Sequence, residues 1–258
     1  MRLHHVQRGG GEPLLLVHGI GDSQRAWTRV LDRLAESHQC LAIDLPGFGA
    51  SPPLDGTPSV AALAAAARDF MRERGHERFH VAGNSLGGAI ALELARSGSA
   101  RSACALSPAG FAEGWERAWL AASLRTTRAV CGLVARGPAV TRSRLARRAL
   151  AAQMVADGAR YGAGELAATT ADLAAAPGFH ATMGPLVAHR EPPGEAGCPV
   201  TVAWGDRDRL LLYRPQAARA RERLPAARHV TLPGCGHIPM WDDPALVART
   251  ILETAAAA

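Results

Sequence analysis

Phe79-His80-Val81-Ala82-Gly83-Asn84-Ser85-Leu86-Gly87-Gly88 is the stretch on which the reading of this chain turns. Phe79–Ala82 is a short apolar run of strand type, and Leu86–Arg96 continues at helical spacing. Between them stands Gly-x-Ser-x-Gly, which in a strand–turn–helix setting holds a nucleophilic serine. Such a turn demands a strained backbone at the serine and small neighbours that let strand and helix approach closely. Ser85 then stands at a helix N-terminus, where unpaired N–H groups favour developing negative charge. An ordinary glycine-rich turn with a capping serine has the same letters, so the rest of the chain has to decide.

Outward from this turn the same rhythm repeats. Pro13–Val17, Cys40–Ile43, Phe79–Ala82, Ala103–Leu106, Val200–Trp204 and His229–Leu232 are short apolar runs with little alternation. Runs of that kind suit strands buried on both faces of a parallel sheet. The segment before Gly9-Gly10-Gly11 adds a candidate antiparallel edge strand. Helices are expected over Ala26–Glu36, Val60–Arg74, Leu86–Arg96, Pro215–Leu224 and Pro244–Thr254, with Ser59 as an N-cap and Gly75 as a C-cap. The end, Ala255–Ala258, is expected to fray. Strands alternating with helices imply βαβ units, and therefore an α/β fold with a mostly parallel central sheet flanked by helices.

One interval breaks the rhythm. Residues 111–193 hold no convincing strand and are rich in Ala, Arg and Leu. A structureless loop of that length is implausible, so several short helices are expected there. The chain thus divides into a core, 1–110 and 194–258, and a helical insertion, 111–193. Apolar residues of the insertion, among them Trp115, Trp119, Leu120, Leu124, Leu133, Met154 and Tyr161, are expected mainly to pack, with some roofing a pocket. Its arginines, including Arg117, Arg125, Arg128 and Arg136, read as solvated helix faces, or as attractors of carboxylate-bearing substrates.

Two further motifs supply what a serine nucleophile needs. His18-Gly19-Ile20-Gly21 follows the run Leu14–Val17, where a glycine-bracketed loop can aim a backbone N–H at an oxyanion. The oxyanion donors are assigned to the N–H groups of Ile20 and Leu86. His18 itself reads as a support of the loop. Later, Gly205-Asp206-Arg207-Asp208 and Gly234-Cys235-Gly236-His237 end the last two strands. A serine hydroxyl is a weak nucleophile without a base, and the base needs a carboxylate to fix its tautomer. The candidate triad is Ser85, Asp208 and His237. Asp206 is the alternative acid, and the unchosen aspartate is expected to serve a turn or cap.

With these motifs in place, the chain resembles the α/β-hydrolase fold family. His18–Gly21, Asp44-Leu45-Pro46-Gly47-Phe48-Gly49-Ala50-Ser51, Gly83–Gly88, Gly205–Asp208 and Gly236-His237 stand in that family's order. The resemblance implies that Asp44–Ser51 is a structural turn beside the site, and that 111–193 falls where the family inserts a helical cap. The acid loop departs from the family pattern: Asp208 is followed by Arg209-Leu210-Leu211-Leu212 without a proline. Ser85 argues against the dehalogenases and epoxide hydrolases of this fold, which carry aspartate at that turn. A serine alkoxide suits acyl transfer. The expected activity is hydrolysis of a small, hydrophobic carboxylic ester through an acyl-enzyme. Gly-Asn-Ser-Leu-Gly-Gly also resembles the elbow of carbon–carbon bond hydrolases of ring-fission diketones. A ligand-binding receptor with a retained triad is the reading from another class.

Composition narrows the rest. The 258 residues carry a net charge of +6, and every basic side chain but histidine is arginine. The arginines are scattered, without a basic run interleaved with aromatics, so no nucleic-acid partner is expected. No apolar run reaches the length of a membrane helix, and no secretory signal is read at the start, so a cytoplasmic protein without a membrane partner is expected. The five cysteines are odd in number and widely spaced, which signals neither a disulfide framework nor zinc. Cys40 and Cys104 read as buried small hydrophobes. His4-His5 lacks matching ligands and reads as a solvent-facing strand pair. No cofactor and no metal are expected.

Overall fold

A computed structural model describes residues 1–258. Seven strands form one sheet: β1 (His5–Arg8), β2 (Glu12–Val17), β3 (His38–Ile43), β4 (Phe79–Asn84), β5 (Ala100–Leu106), β6 (Val200–Gly205) and β7 (Arg228–Leu232). Their spatial order is β1-β3-β2-β4-β5-β6-β7. Only β1 is antiparallel, pairing with β3 as the edge strand foreseen before the glycine run. The other pairs are parallel.

The apolar runs are continuous because the sheet is covered on both faces. In β2, Leu15 and Val17 join one core cluster while Leu14 and Leu16 join the other. Each of these leucines is at most 1% exposed, a burial worth roughly 1.5–3 kcal/mol per side chain. The first cluster packs under α2 (Val60–Arg72) and α3 (Leu86–Arg96), the second under α1 (Thr28–Ala35) and, at the chain's end, α10 (Pro244–Ala255).

Local signals hold in part. Ser59 caps α2 by accepting from the Ala62 N–H at 3.2 Å. Gly75 closes the helix as expected: it takes the left-handed φ of +82°, its N–H donates to Arg72 O at 2.9 Å, and the His76 N–H donates to Met71 O at 3.1 Å. The first helix opens as a 3-10 turn over Gln24–Trp27 before α1 begins. The paired histidines are not a matched solvent pair. His4 precedes β1 and binds Asp44, whereas the His5 ring packs edge-on against Phe70 at 5.0 Å.

Between β5 and β6 the chain holds helices joined by loops and no strand: α4 (Trp115–Arg136), α5 (Arg144–Ala151), α6 (Ala163–Ala175) and α7 (Phe179–Ala188). These are not all short. α4 runs 22 residues because no glycine or proline interrupts it before Gly132, and the break comes only at Gly137-Pro138. After β6 follow α8 (Tyr213–Arg223) and the single turn α9 (Pro239–Asp242). No helix is long and apolar enough to cross a membrane.

The order β3-β2-β4 matters most for function. The chain moves from β2 outward to β3, then returns to place β4 on the other side of β2. At such a reversal the loops beyond the carboxyl ends of β2 and β4 part and leave a crevice. Gly19 follows one of these ends and Ser85 the other.

Candidate active site

Ser85 has φ +58° and ψ −114°, a conformation that non-glycine residues rarely adopt. Its glycine neighbours explain how the turn closes. A Cβ on Gly83 would sit 1.9 Å from the Gly87 carbonyl oxygen, and one on Gly87 would sit 2.1 Å from that of Val17. The turn is pinned by the Ser85 N–H on Leu106 O at 3.0 Å, and by Ala89 and Ala109 N–H groups on Ser85 O.

His237 and Asp208 meet across 29 residues. Their contact, Nδ1 to Oδ2, is 2.8 Å between buried side chains. The other Asp208 oxygen accepts from the Leu210 and Leu211 N–H groups, both at 2.9 Å. A carboxylate so filled has one direction left, toward the imidazole. Asp206 is exposed and accepts from Gly234 N–H at 2.8 Å, so it holds the turn that precedes His237. Ser85 and His237 line one cavity of about 750 Å³, mouth included. No hydrogen bond joins the Ser85 hydroxyl to the ring, and neither the hydroxyl nor His237 Nε2 has another partner.

Ile20 lines the same cavity, and the loop that carries it lies against the serine. A Cβ on Gly19 would fall 3.2 Å from Ser85 Cβ and 3.7 Å from its Oγ. The backbone N–H groups of Ile20 and Leu86 have no carbonyl partner in the protein; Leu86 is the first residue of α3. His18 supports this loop. It is buried, with Nδ1 on Gly19 O at 2.7 Å and Nε2 accepting from Leu45 N–H at 2.9 Å. That pattern needs a neutral ring, and burial lowers its pKa in agreement. Asp44 anchors its own turn by accepting from Gln24 and Ala50 N–H groups at 2.7 and 2.9 Å.

Three residues carry weight that sequence reasoning had not given them. Asn84 donates to Leu106 O at 3.1 Å and to His237 O at 2.9 Å, tying the histidine loop to the sheet. Asp242 is buried and accepts from Gly236 N–H at 2.8 Å and from Ala156 N–H at 2.9 Å. It thereby fastens the helical segment to the histidine loop, and Ile238 N–H on Met154 O at 2.7 Å adds to the seam. Asp22 lines the cavity beside Ile20, and burial pushes its carboxyl up to about 7. Asn84 lay inside a quoted motif; the two aspartates had no sequence signal beyond their type.

The cavity wall is mostly apolar. Leu124, Met154, Leu166, Leu173, Leu210 and Ile238 contribute, as does Tyr161, which stacks on Trp241. Cys131 also faces it, yet burial pushes that thiol up to about 11, so it holds no thiolate at neutral pH. All five cysteines are free. No group of His, Cys, Asp or Glu is arranged to hold a metal. Two readings of the insertion need correcting. Trp115 and Leu133 do not pack but are exposed, and Trp119, also exposed, donates its indole N–H to Arg209 O at 3.2 Å. Arg128 is not a solvated cation, because its guanidinium donates to Leu173 O and Ala176 O.

A serine of strained backbone after β4 and a carboxylate-held histidine thus share one cavity at the switch point of a doubly wound sheet. The family model of the α/β-hydrolase family matches residues 14–250, and the chain belongs to that family. Over 116 residues it is 38% identical to the dihydrolipoyllysine-residue acetyltransferase component of the acetoin cleaving system of Cupriavidus necator, covering 44% of this chain and 31% of that protein. Over 87 residues it is 40% identical to Lipase 3 of a Moraxella species, covering 33% of this chain and 27% of that one. These alignments span about a third of the relatives' length. The fold matches that of a thermophilic esterase from Thermogutta terrifontis with a TM-score of 0.75 at 22% identity, covering 98% of this chain and 93% of that one. Further relatives include a dehalogenase, an epoxide hydrolase and an esterase.

Proposed function

We propose that the chain is a serine hydrolase that cleaves a small, hydrophobic carboxylic ester. The observation that carries this reading is the Asp208–His237 pair at 2.8 Å beside a serine of strained backbone on one cavity. His237 Nε2 takes the proton of Ser85 as Oγ attacks the carbonyl carbon. Asp208 holds the Nδ1 proton and stabilises the imidazolium. The carbonyl oxygen becomes anionic and is met by the N–H groups of Ile20 and Leu86; losing one such donor typically costs about 3–4 kcal/mol of barrier. As the tetrahedral species collapses, the ester C–O bond breaks and His237 protonates the departing alcohol. Water then attacks the acyl-enzyme, giving a proton to His237, and the acid leaves as Ser85 regains its proton.

The apolar wall supports a hydrophobic acyl or alcohol group. Residues 111–193 act as a cap over the core, with Leu124 and Met154 as part of the roof. No cofactor, metal or nucleic acid takes part. Five unpaired thiols support a cytoplasmic setting.

The test is Ser85→Ala. Turnover of p-nitrophenyl butyrate and labelling by a fluorophosphonate should both vanish, with the circular dichroism spectrum unchanged. Retention of either by that variant would remove Ser85 from the mechanism. Wild-type cleavage of a ring-fission diketone faster than any ester would move the reaction to carbon–carbon hydrolysis.

A further inference from the structure

Six large hydrophobic side chains are exposed on this protein, and five lie between positions 115 and 145. Trp115, Trp119, Leu133, Val140 and Leu145 are 42–76% exposed. Three of them share one face of α4. Trp119 follows Trp115 by about one turn, and Leu133 follows it by 18 residues, about five turns. Ala118, Ala122 and Ala129 are exposed between them. The opposite face carries Leu120, Leu124, Cys131 and Val134, all buried. α4 is therefore apolar on its inner side and largely apolar on its outer side. A helix that meets only water outside is ordinarily polar there, and clustered exposed apolar side chains mark an interaction site.

The charge of the same segment says what kind of surface it meets. From Arg125 to Arg148 there are seven arginines and no aspartate or glutamate. Three are engaged. Arg128 serves α6 and its end, Arg147 donates to Thr141 O and Arg142 O, and Arg148 pairs with Asp157. Arg125, Arg136, Arg142 and Arg144 are exposed and make neither hydrogen bond nor ion pair.

Tryptophan and leucine among unpaired arginines match the boundary between lipid headgroups and acyl chains. The apolar side chains enter that boundary while the guanidiniums reach phosphate. A second copy of this chain fits less well. A two-fold contact through this face would oppose the same unpaired arginines, with no acid in the stretch to receive them.

We infer that the outer face of α4, together with the Val140–Leu145 stretch, docks on an anionic lipid bilayer. Docking is peripheral, and it departs from the sequence-based expectation of no membrane partner. That expectation weighed spanning segments and could not see which face of α4 turns outward. The inner face of the same helix lends Leu124, Thr127 and Cys131 to the cavity of Ser85. One helix thus separates the docking surface from the cavity.

The test mixes the full chain with phosphatidylcholine vesicles, alone or containing phosphatidylglycerol, and measures the bound fraction by flotation. Binding is expected to the anionic vesicles and to weaken with salt. Trp115 and Trp119 are exposed while Trp27, Trp204 and Trp241 are buried, so tryptophan emission should shift to the blue on binding. Arg142→Ser with Arg144→Ser should lower the partition coefficient by about fivefold per arginine. Leu133→Ser with Leu145→Ser should lower it as well, with p-nitrophenyl butyrate turnover unchanged, since neither leucine lines the cavity. Equal binding to both vesicle types, or binding unmoved by both variants, overturns the assignment. So does a light-scattering dimer that dissociates in the leucine variant while ignoring vesicles, which would give the face to a second copy.

Discussion

The side-chain amide of Asn84 spans from the carbonyl of Leu106 to that of His237, so the residue before the serine also holds the loop of the histidine. Under the proposed mechanism Asn84 does not touch the reacting atoms, and its role is to position the loop of His237. Replacing Asn84 with alanine leaves the His237 carbonyl without this donor, while Leu106 O keeps the Ser85 N–H; a buried group left unpaired costs roughly 1–3 kcal/mol. In Asn84→Ala, kcat for p-nitrophenyl butyrate should fall at least tenfold with KM little changed. The fluorophosphonate labelling rate should fall in parallel. A KM effect alone would mean that Asn84 shapes the pocket and not the loop.

Asp208 and Asp206 stand two residues apart and do different work. Asp208→Asn keeps the size but can present an amide to Nδ1, which favours the wrong histidine tautomer. The loss typical of that change in a serine triad is about 10⁴-fold in kcat. Asp206→Asn retains an oxygen for Gly234 N–H and should cost less than about tenfold, because it only steadies a turn. Measured side by side on one ester, a larger loss at 206 would reverse the assignment of the acid.

Asp22 makes stability depend on pH in the direction opposite to a salt-bridged carboxylate. Burial, with help from the charges of Asp172 and Asp44, pushes its carboxyl from 3.8 up to about 7, against the lowering by the Ser23 N–H and Arg25. Between those values the folded protein holds a proton that the unfolded chain has lost. Stability from this group therefore falls as pH rises from about 4 to 7, and the penalty is full above 7. Asp22→Asn removes it. The gain in melting temperature should be clear at pH 8 and much smaller at pH 5. Equal gains at both would show that the carboxyl is ionised throughout.

Much of this arrangement was legible in the sequence for a physical reason. Strands covered on both faces leave short unbroken apolar runs, and the turn that carries Ser85 needs Gly83 and Gly87 for clearance. What could not be read was register and direction. Spacing places Asp206 and Asp208 on one loop, and only the Leu210 and Leu211 amides decide which carboxylate is turned inward. Asp242 meets Ala156 across 86 residues, a pairing no local pattern announces. α4 defeats periodicity because a helix apolar on two sides has no single stripe to mark its inner face. Trp115 and Leu120 look alike in sequence and lie on opposite sides.

Gly19 and Gly87 lie near the same turn but are glycine for different reasons, and alanine separates them. At Gly87 an added Cβ would stand 2.1 Å from the Val17 carbonyl oxygen, backbone against backbone, where nothing can yield cheaply. Gly87→Ala should therefore destabilise the fold by about 1–3 kcal/mol or more and lower the melting temperature accordingly. At Gly19 the nearest atom is Ser85 Cβ at 3.2 Å, so a shift of a few tenths of an ångström accommodates the methyl. Near-attack geometry is less forgiving, since a misplacement of about 1 Å can cost about 100-fold in rate. Gly19→Ala should keep its melting temperature within a few degrees and lose about tenfold in kcat/KM. If Gly19→Ala instead melts early at full activity per folded molecule, the His18–Gly21 loop braces the fold and does not set the serine's surroundings.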